Sequence, residues 1–219
     1  MKIIGQLKKR FEKFKNFFLI LFKRKKILYL NRYDNYSDYV EHQKNKTTDP
    51  EKIKKWFNDE WDLKYNGFVE IFQRNQRYLR NKNNAICLGS RTGQEVKALI
   101  DLGLEAIGLD LVAFPPYTIQ GDIHNINKSD NSIDLVFTNI FDHSLYPEKF
   151  CNEMERICRK KGHIIIHFQK GIDGDEYSEN LISDPQVIIS YFKNSFLCES
   201  KKIKNSFDLM NWEIVFKKD

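Results

Sequence analysis

The sequence predicts an α/β protein built on a doubly wound, mostly parallel sheet of seven strands over residues 81–219. From Ala85 onwards, short apolar runs alternate with segments of helical periodicity, which is the pattern of repeated strand–helix–strand units. The run HIIIHF at 163–168 is almost entirely apolar, as expected of a central strand that is covered on both faces. Gly103 closes the helical run GQEVKALIDLG, at a position where a glycine commonly ends a helix.

The elements of this sheet are predicted in a regular order. Five strands are expected in the segments AICLG, EAIGLD, TIQGD, SIDLVFTN and HIIIHF. Helices are expected in GQEVKALIDLG, in PEKFCNEMERICRKKG, and in SDPQVIISYFKNSF at 183–196. Pro147 would begin the second of these helices and Gly162 would end it. The segments CESKKIKN and NWEIVFKK are predicted to pair as the last two strands.

Residues 31–80 are predicted to form a helical extension in front of the sheet, placed as a cap over a substrate. Residues 31–48 are polar and rich in tyrosine, which indicates a loop and a short helix. Thr48 or Asp49 would cap the next helix, with Pro50 at its first position. The apolar positions that mark this helix and a further one are Ile53, Trp56, Phe57, Phe68, Ile71 and Phe72.

The first 30 residues carry almost all of the excess positive charge. Residues 1–30 contain ten Lys or Arg and one acidic residue, a net charge of +9. The whole chain has 36 basic and 30 acidic residues, so the remainder has 26 and 29, a net charge of −3. Phenylalanines recur at spacings of three and four between the lysines, which predicts a basic amphipathic helix.

Two interpretations of residues 1–30 stay open. The helix would either lie on an anionic membrane surface or pack its phenylalanines on the main domain or a partner. Its uncharged stretch NFFLILF is far shorter than the ~20 residues that cross a bilayer. The mildly acidic remainder argues against nucleic acid as a partner.

The four cysteines give no CxxC pair, which favours a reduced, cytoplasmic protein without a disulfide framework. No cluster of His, Cys and Asp has the spacing of metal ligands, so no metal site is expected.

The stretch ICLGSRTGQE at 86–95 predicts a ligand-binding turn between a strand and a helix. Gly89 would allow the turn, and Gly93 would allow close approach of a ligand to the N-terminus of the helix. Asp110 ends the next strand, 21 residues after Gly89. In nucleotide-binding sheets an acid at this place accepts hydrogen bonds from ribose hydroxyls.

Further polar residues follow the third and fourth strands. Asp122 and Ile123 come directly after TIQG, and Asn139, Asp142 and His143 follow DLVFT. In open α/β sheets the ligand crevice lies outside these strand ends. The sequence therefore predicts that all of these residues meet at one edge of the sheet.

Over roughly residues 80–219 the chain resembles class I S-adenosylmethionine-dependent methyltransferases, which are Rossmann-like. The five segments that resemble their motifs are ICLGSRTGQE, GLDL, QGDIHNIN, SIDLVFTNIFDH and RKKGHIIIHF. The first is most similar to the branch in which it reads leucine-glycine-x-arginine-x-glycine-x-glutamate. The resemblance is specific for the cofactor, S-adenosylmethionine, and says little about the methyl acceptor.

The resemblance implies a role for each motif position. The residues that would line the methionine part of the cofactor are Gly89, Ser90, Arg91 and Gly93. Asp110 would bind the ribose hydroxyls, and Leu111 would lie against the adenine. Asp122 would accept from the adenine amino group, with the backbone N–H of Ile123 on a ring nitrogen, and Asn139 would sit near the methyl group. The alternatives are that both aspartates cap turns and that Asn139 only ends a strand.

Two positions depart from the family pattern. Many members carry an acid where this chain has Cys87, and a glycine where it has Arg91. Arg91 would then hold the cofactor carboxylate, because a guanidinium pairs with carboxylates in a two-pronged geometry. Glu95 would either restore the missing negative charge or cap its helix and pair with Lys97 or Arg91.

For catalysis, His143 is the predicted base, because it follows the fourth strand and histidine titrates near neutrality. The alternative is that His143 caps a helix or packs under the sheet edge; His167 is a second candidate. The acceptor is expected to contact the helices at 49–78, the loop at 169–180 and Tyr146.

Three functions remain in competition at this point. The first is a methyltransferase acting on O or N of a small molecule or of a glycan- or lipid-linked substrate. The second is a regulator or scaffold that binds S-adenosylmethionine without catalysis. The third, a nicotinamide-dependent oxidoreductase, fits least, because its turn would normally carry glycine at the position of Arg91.

Overall fold

The computed structural model describes residues 26–171 and 174–219. Residues 1–25 of the helix predicted over residues 1–30 therefore lie outside the described residues. Ile27–Tyr29 form a strand, β1, and the prediction of a helix is wrong there. The backbone of β1 pairs antiparallel with Asn180–Ile182, so its hydrogen-bonding groups are satisfied by a partner strand instead of a helical turn.

The predicted helical extension consists of four helices. They are α1 (Tyr36–Thr48), α2 (Pro50–Asn58), α3 (Trp61–Arg74) and α4 (Gln76–Leu79). The first is a 13-residue helix and not the short one predicted, with the side chain of Asn35 accepting from Asp38 N–H at its start. Asp49 caps the second by accepting from the N–H groups of Glu51 and Lys52. The predicted cap and Pro50 start are confirmed.

The elements after the extension alternate as predicted. They are β2 (Asn84–Leu88), α5 (Gln94–Asp101), β3 (Glu105–Asp110), β4 (Thr118–Gln120), β5 (Ile133–Thr138), a 3-10 turn (Phe141–His143), α6 (Pro147–Ile157), β6 (Cys158–Phe168), β7 (Asn180–Ile182), α7 (Gln186–Tyr191), β8 (Ser195–Lys202) and β9 (Trp212–Lys218).

Seven of these strands form one sheet in the order β4-β3-β2-β5-β6-β9-β8. The first five are parallel to one another, and β9 runs antiparallel to both of its neighbours. The predicted seven-stranded, mostly parallel sheet is confirmed. The chain moves outward from β2 to β4 and then crosses back to β5, so the strand order reverses between β2 and β5. A crevice opens at the carboxyl ends of the strands at such a point.

The core has two layers, one on each face of the sheet. Along β2, Ile86 and Leu88 face one cluster of buried apolar residues, while Ala85 and Cys87 face the other. This alternation follows from the two-residue period of a strand. Helices α6 and α7 cover the first face, and α3 and α5 cover the second.

Two predicted helices are shorter in the structure. Helix α6 ends at Ile157, and the following RKKG segment forms a bulge inside β6, where Lys161 has φ 63°. The register against β5 changes there, from Ile133 opposite Cys158 to Leu135 opposite His163. The helix predicted at 183–196 is limited to Gln186–Tyr191, because β8 pairs with β9 from Ser195 onwards.

Candidate active site

The turn after β2 contains three residues in the left-handed backbone region. Gly89, Arg91 and Gly93 have φ values of 76°, 46° and 87°. A Cβ atom on Gly89 would overlap the side chain of Ile140, and one on Gly93 would overlap Tyr117. The glycines are therefore required by both conformation and space. The turn leads directly into α5, whose first N–H groups point towards the crevice.

A cleft lies over the ends of β2, β3 and β4. Its sheet side includes the predicted residues Gly89, Arg91, Asp110, Leu111, Asp122 and Ile123. Helix α1 closes the opposite side with Tyr39, Gln43, Lys46 and Thr47. We call this the first cleft.

Asp110 stands at the end of β3 and lines the first cleft. Its oxygens accept hydrogen bonds from the backbone N–H groups of Arg91, at 2.9 Å, and Val112, at 3.3 Å. Burial raises the pKa of Asp110 above its ordinary value. Since each carboxylate oxygen has two lone pairs, Asp110 can both hold the turn and accept from a ligand.

Asp122 is held by two residues that the sequence did not connect to it. Its Oδ2 accepts from the hydroxyl of Tyr36 at 2.7 Å, and its Oδ1 accepts from the N–H of His124 at 2.8 Å. Burial opposes ionisation, but the hydrogen bonds from His124 and Tyr36 outweigh it and lower the pKa of Asp122 to about 2. Asp122 is therefore an ionised acceptor that also anchors the start of α1.

A second cleft, of about 620 Å³, lies beside the first. The two share Gly89, Arg91, Ile140 and His143, so they meet above the ends of β2 and β5. The second cleft reaches from the start of α5, with Ser90 and Glu95, to Asn139 after β5. Its far wall is made by α3 and by the segment between β8 and β9, with Lys64, Phe68, Phe207, Asp208 and Met210.

Arg91 is the cation at the junction of the two clefts. Its guanidinium carbon lies 4.4 Å from the centre of the Trp56 ring, a cation–π contact contributed by α2. The backbone carbonyl of Trp56 also accepts from the Gln94 side chain at 3.3 Å. Trp56 thus braces both Arg91 and the first residue of α5, and it is buried.

Glu95 brings a carboxyl group into the second cleft. Burial raises its pKa to about 8, against the opposing effects of its own backbone N–H and the charge of Arg91. Lys97 pairs with Asp101 instead, and Glu95 makes no ion pair with any residue in the described part of the chain. Many family members carry an acid at the position of Cys87. The Cys87 side chain is buried in the core and does not replace that acid.

Ser90 and Asn139 both line the second cleft, but the hydroxyl of Ser90 turns away from it. A Cβ on Gly108 would overlap that oxygen, so the hydroxyl lies against β3. Only the backbone of Ser90 is then placed for a ligand.

His143 faces both clefts, as predicted for a base near the reacting atoms. Its Nδ1 lies 2.8 Å from the backbone carbonyl of Tyr177. A carbonyl can only accept, so Nδ1 carries the proton and Nε2 has the lone pair in the neutral ring. Asp142 lies behind it, with Oδ2 3.8 Å from Nε2.

His167 is not a second candidate. It is fully buried, with Nε2 2.7 Å from Glu213 Oε2 in the neighbouring strand. A ligand cannot reach this buried side chain, so the prediction of His167 as a second candidate base is wrong.

The sequence analysis predicted a cap from residues 31–80 but named neither the residues of α1 that line the first cleft nor the wall formed by 207–210. A signal for the first was present, because Asn35 is a good helix cap and Tyr36, Tyr39, Gln43 and Thr47 recur at helical spacing. Tyr146 stacks on Tyr36 at 5.8 Å between ring centres and remains about half exposed.

Two acids of the loop at 169–180, Asp175 and Glu179, bind the N-terminal extension. Asp175 pairs with Lys46 at 2.7 Å. Glu179 is buried and accepts from Tyr33 at 2.7 Å, from Gln43 at 2.6 Å and from Asn31 at 3.2 Å. Residues 172 and 173 are outside the described part. The loop therefore fastens α1 over the first cleft.

Neither a metal-ligand cluster nor a helix long and apolar enough to cross a membrane is found in residues 26–171 and 174–219.

The residues in the two clefts fit S-adenosylmethionine. Asp110 presents oxygens that can accept from hydroxyls, Arg91 presents a guanidinium that can pair with a carboxylate, and Glu95 is a buried carboxyl whose ionisation an ammonium group would favour. The turn at Gly89 leaves the backbone open for close approach.

Residues 86–166, from β2 into β6, match the family model described as "Methyltransferase domain". Among solved structures, the chain is similar to the 1,6-didemethyltoxoflavin-N1-methyltransferase of Burkholderia thailandensis, solved with 1,6-didemethyltoxoflavin and S-adenosylhomocysteine. The TM-score is 0.64 at 10% identity, covering 88% of this chain and 94% of that chain. No curated protein matches the sequence significantly.

A SAM-dependent methyltransferase from Aquifex aeolicus has a TM-score of 0.58 at 14% identity, covering 78% of this chain and 99% of that chain. At these identities the two structures inform on the fold. The order of the sheet and the glycine turn after β2 are those of a Rossmann-like α/β fold. The family match over residues 86–166 and the shared fold support a class I S-adenosylmethionine-dependent methyltransferase.

Proposed function

We propose that S-adenosylmethionine lies across both clefts, with its nucleoside in the first and its amino-acid end beside Arg91 in the second. Asp110 would bind the ribose, and Leu111, Asp122 and Ile123 would surround the adenine. Gly89, Ser90 and Gly93 would approach the methionine part through their backbone. The observation that carries this proposal is the junction of the clefts at Gly89, Arg91, Ile140 and His143.

The proposed reaction is methyl transfer to O or N of a small molecule, or of a glycan- or lipid-linked substrate. When bound, S-adenosylmethionine would supply an electrophilic methyl carbon on a sulfonium. A lone pair of the acceptor would form the new bond to this carbon in line as the S–C bond breaks, with its electrons going to sulfur and S-adenosylhomocysteine leaving. Asn139 would lie beside the reacting atoms. An acceptor hydroxyl or amine would pass its proton to His143 Nε2, whose ring is held by the Tyr177 carbonyl.

Asp110→Ala is expected to weaken binding of S-adenosylhomocysteine by about 1–3 kcal/mol, because it removes hydrogen bonds to a charged acceptor. Isothermal calorimetry with S-adenosylmethionine, S-adenosylhomocysteine and NAD would measure this and test the cofactor assignment. Glu105→Gln, an exposed change at the far end of β3, removes the same charge and should leave affinity unchanged. An unaltered dissociation constant for Asp110→Ala would mean that this acid only holds the turn.

We also propose that residues 1–30 attach the enzyme to an anionic membrane surface, the protein being otherwise cytoplasmic. The support is the net charge of +9 on this segment against −3 on the remainder, since basic residues near anionic lipid contribute about 1 kcal/mol each.

Deletion of residues 1–25 is the matching test, because it spares β1. It removes nine basic residues and Glu12, and so takes the formal charge from +6 to −2. The shortened protein should keep its affinity for S-adenosylhomocysteine and lose sedimentation with phosphatidylserine vesicles. Binding of the full chain should weaken with salt, because exposed charges are screened over ~8 Å at physiological ionic strength. Full-length protein that ignores these vesicles at low salt would exclude the membrane role.

A further inference from the structure

The far wall of the second cleft combines apolar rings with a carboxyl group. Phe68 and Phe207 lie 4.8 Å apart between ring centres, and Met210 and Ile140 extend the same lining. Walls of this kind take a flat apolar body, since aromatic rings and thioethers pack well against other rings.

Asp208 is the acid in this wall. Its Oδ1 accepts from Asn205 Nδ2 at 2.9 Å and from Met210 N–H at 3.1 Å, and these bonds hold the segment between β8 and β9. Its Oδ2 is buried and has no hydrogen-bond partner among the described residues. Because a buried acceptor without a partner is costly, a ligand that donates to Oδ2 would gain that free energy.

The cations near this wall are already engaged. Lys64 pairs with Glu60 at 2.5 Å, and Arg74 donates to Asn205 Oδ1 at 2.7 Å. Asp208 itself makes no ion pair within the described ranges. Burial accordingly raises the pKa of Asp208, and a positive group on a ligand would relieve the cost of ionisation.

We infer that the second cleft binds an amine carried on an apolar, ring-sized body, with its N–H or ammonium group donating to Asp208 Oδ2 and its ring against Phe207 and Met210. This inference rests on the proposed function, since it assigns the remainder of the second cleft to the methyl acceptor. It narrows the acceptor class from O or N compounds to amines.

The test is calorimetric titration of tryptamine, phenethylamine and histamine into the full chain, with and without saturating S-adenosylhomocysteine. Indole-3-propionate and 3-phenylpropionate present matching rings with the opposite charge. At least one amine should bind, and the two acids should bind at least tenfold more weakly. Asp208→Asn should weaken amine binding at least tenfold while leaving affinity for S-adenosylhomocysteine unchanged.

Asparagine is the informative replacement, because its amide oxygen can still accept from Asn205 and Met210 N–H. Glu105→Gln serves as the charge-matched control away from the cleft. The inference is wrong if none of the amines binds, if acids bind as well as amines, or if Asp208→Asn binds the amine like the native chain. If the native chain does not bind S-adenosylhomocysteine, the proposed cofactor placement is wrong. The amine inference is then still decided by the titrations carried out without S-adenosylhomocysteine.

Discussion

Replacing Glu95 by glutamine is expected to raise the melting temperature of the ligand-free protein at pH 9 and to leave it almost unchanged at pH 5. Burial raises the pKa of Glu95 from 4.5 to about 8 in the folded protein. Below pH 4.5 the group is protonated in both the folded and the unfolded chain. Between the two values only the unfolded chain ionises, so the free energy of unfolding falls as the pH rises.

The full cost is reached above about pH 8, where the buried carboxylate is ionised in both states. Each pKa unit corresponds to about 1.4 kcal/mol, so the predicted difference is a few kcal/mol and several degrees in melting temperature. Glutamine has nearly the same shape and stays neutral, so the gain should grow from pH 5 to pH 8 and then level off. Differential scanning calorimetry across this range measures it.

The same substitution should lower affinity for S-adenosylmethionine if Glu95 receives the ammonium group. Binding would then ionise Glu95 and release a proton below pH 8, which calorimetry in buffers of different ionisation enthalpy detects. Glu105→Gln is the exposed control. A change in melting temperature that is the same at every pH would mean that Glu95 is not held neutral by burial.

The sheet could be predicted because its signal is local. The residues of β2, β3, β5 and β6 are apolar in short runs, and the strand ends fix where the next residues must lie. Asp110, Asp122 and His143 were therefore placed at one edge from their distance to a strand end alone.

The contacts of the cap could not be predicted in the same way, because they join distant parts of the chain. Tyr36 reaches Asp122 across 86 positions, and Gln43 reaches Glu179 across 136. Sequence periodicity indicates which face of a helix is apolar. Helix α1 turns mostly polar residues towards the first cleft, so periodicity does not identify this face. The contacts of Asp175 and Glu179 with the extension could not be predicted for the same reason.

The bulge at RKKG is a further case in which tertiary structure overrides local propensity. Lys and Arg favour helices, which extended the predicted helix to Gly162. In the structure these residues belong to β6, and the bulge brings His163 opposite Leu135. The free energy gained by pairing β6 with its neighbouring strands exceeds the small free-energy difference by which Lys and Arg favour a helix.

Replacing Arg91 by glycine is expected to reduce affinity for S-adenosylhomocysteine by about tenfold or more while leaving the fold stable. Arg91 has φ 46°, a conformation that glycine adopts without strain. The substitution therefore removes the side chain without disturbing the turn, and the relief of strain offsets the loss of the cation–π contact with Trp56. Charge-assisted hydrogen bonds to a carboxylate contribute about 1.5–3 kcal/mol, which sets the size of the loss.

The control ligand is 5′-methylthioadenosine, which lacks the amino-acid carboxylate. Arg91→Gly should bind it nearly as well as the native chain does, since Asp110 and Asp122 remain. Arg91→Lys keeps the charge without the planar fork that stacks on Trp56. Its affinity for S-adenosylhomocysteine should therefore lie between those of the native chain and Arg91→Gly. Calorimetry with both ligands gives the comparison. Equal losses for the two ligands in Arg91→Gly would show that Arg91 shapes the turn through its backbone and does not bind the carboxylate.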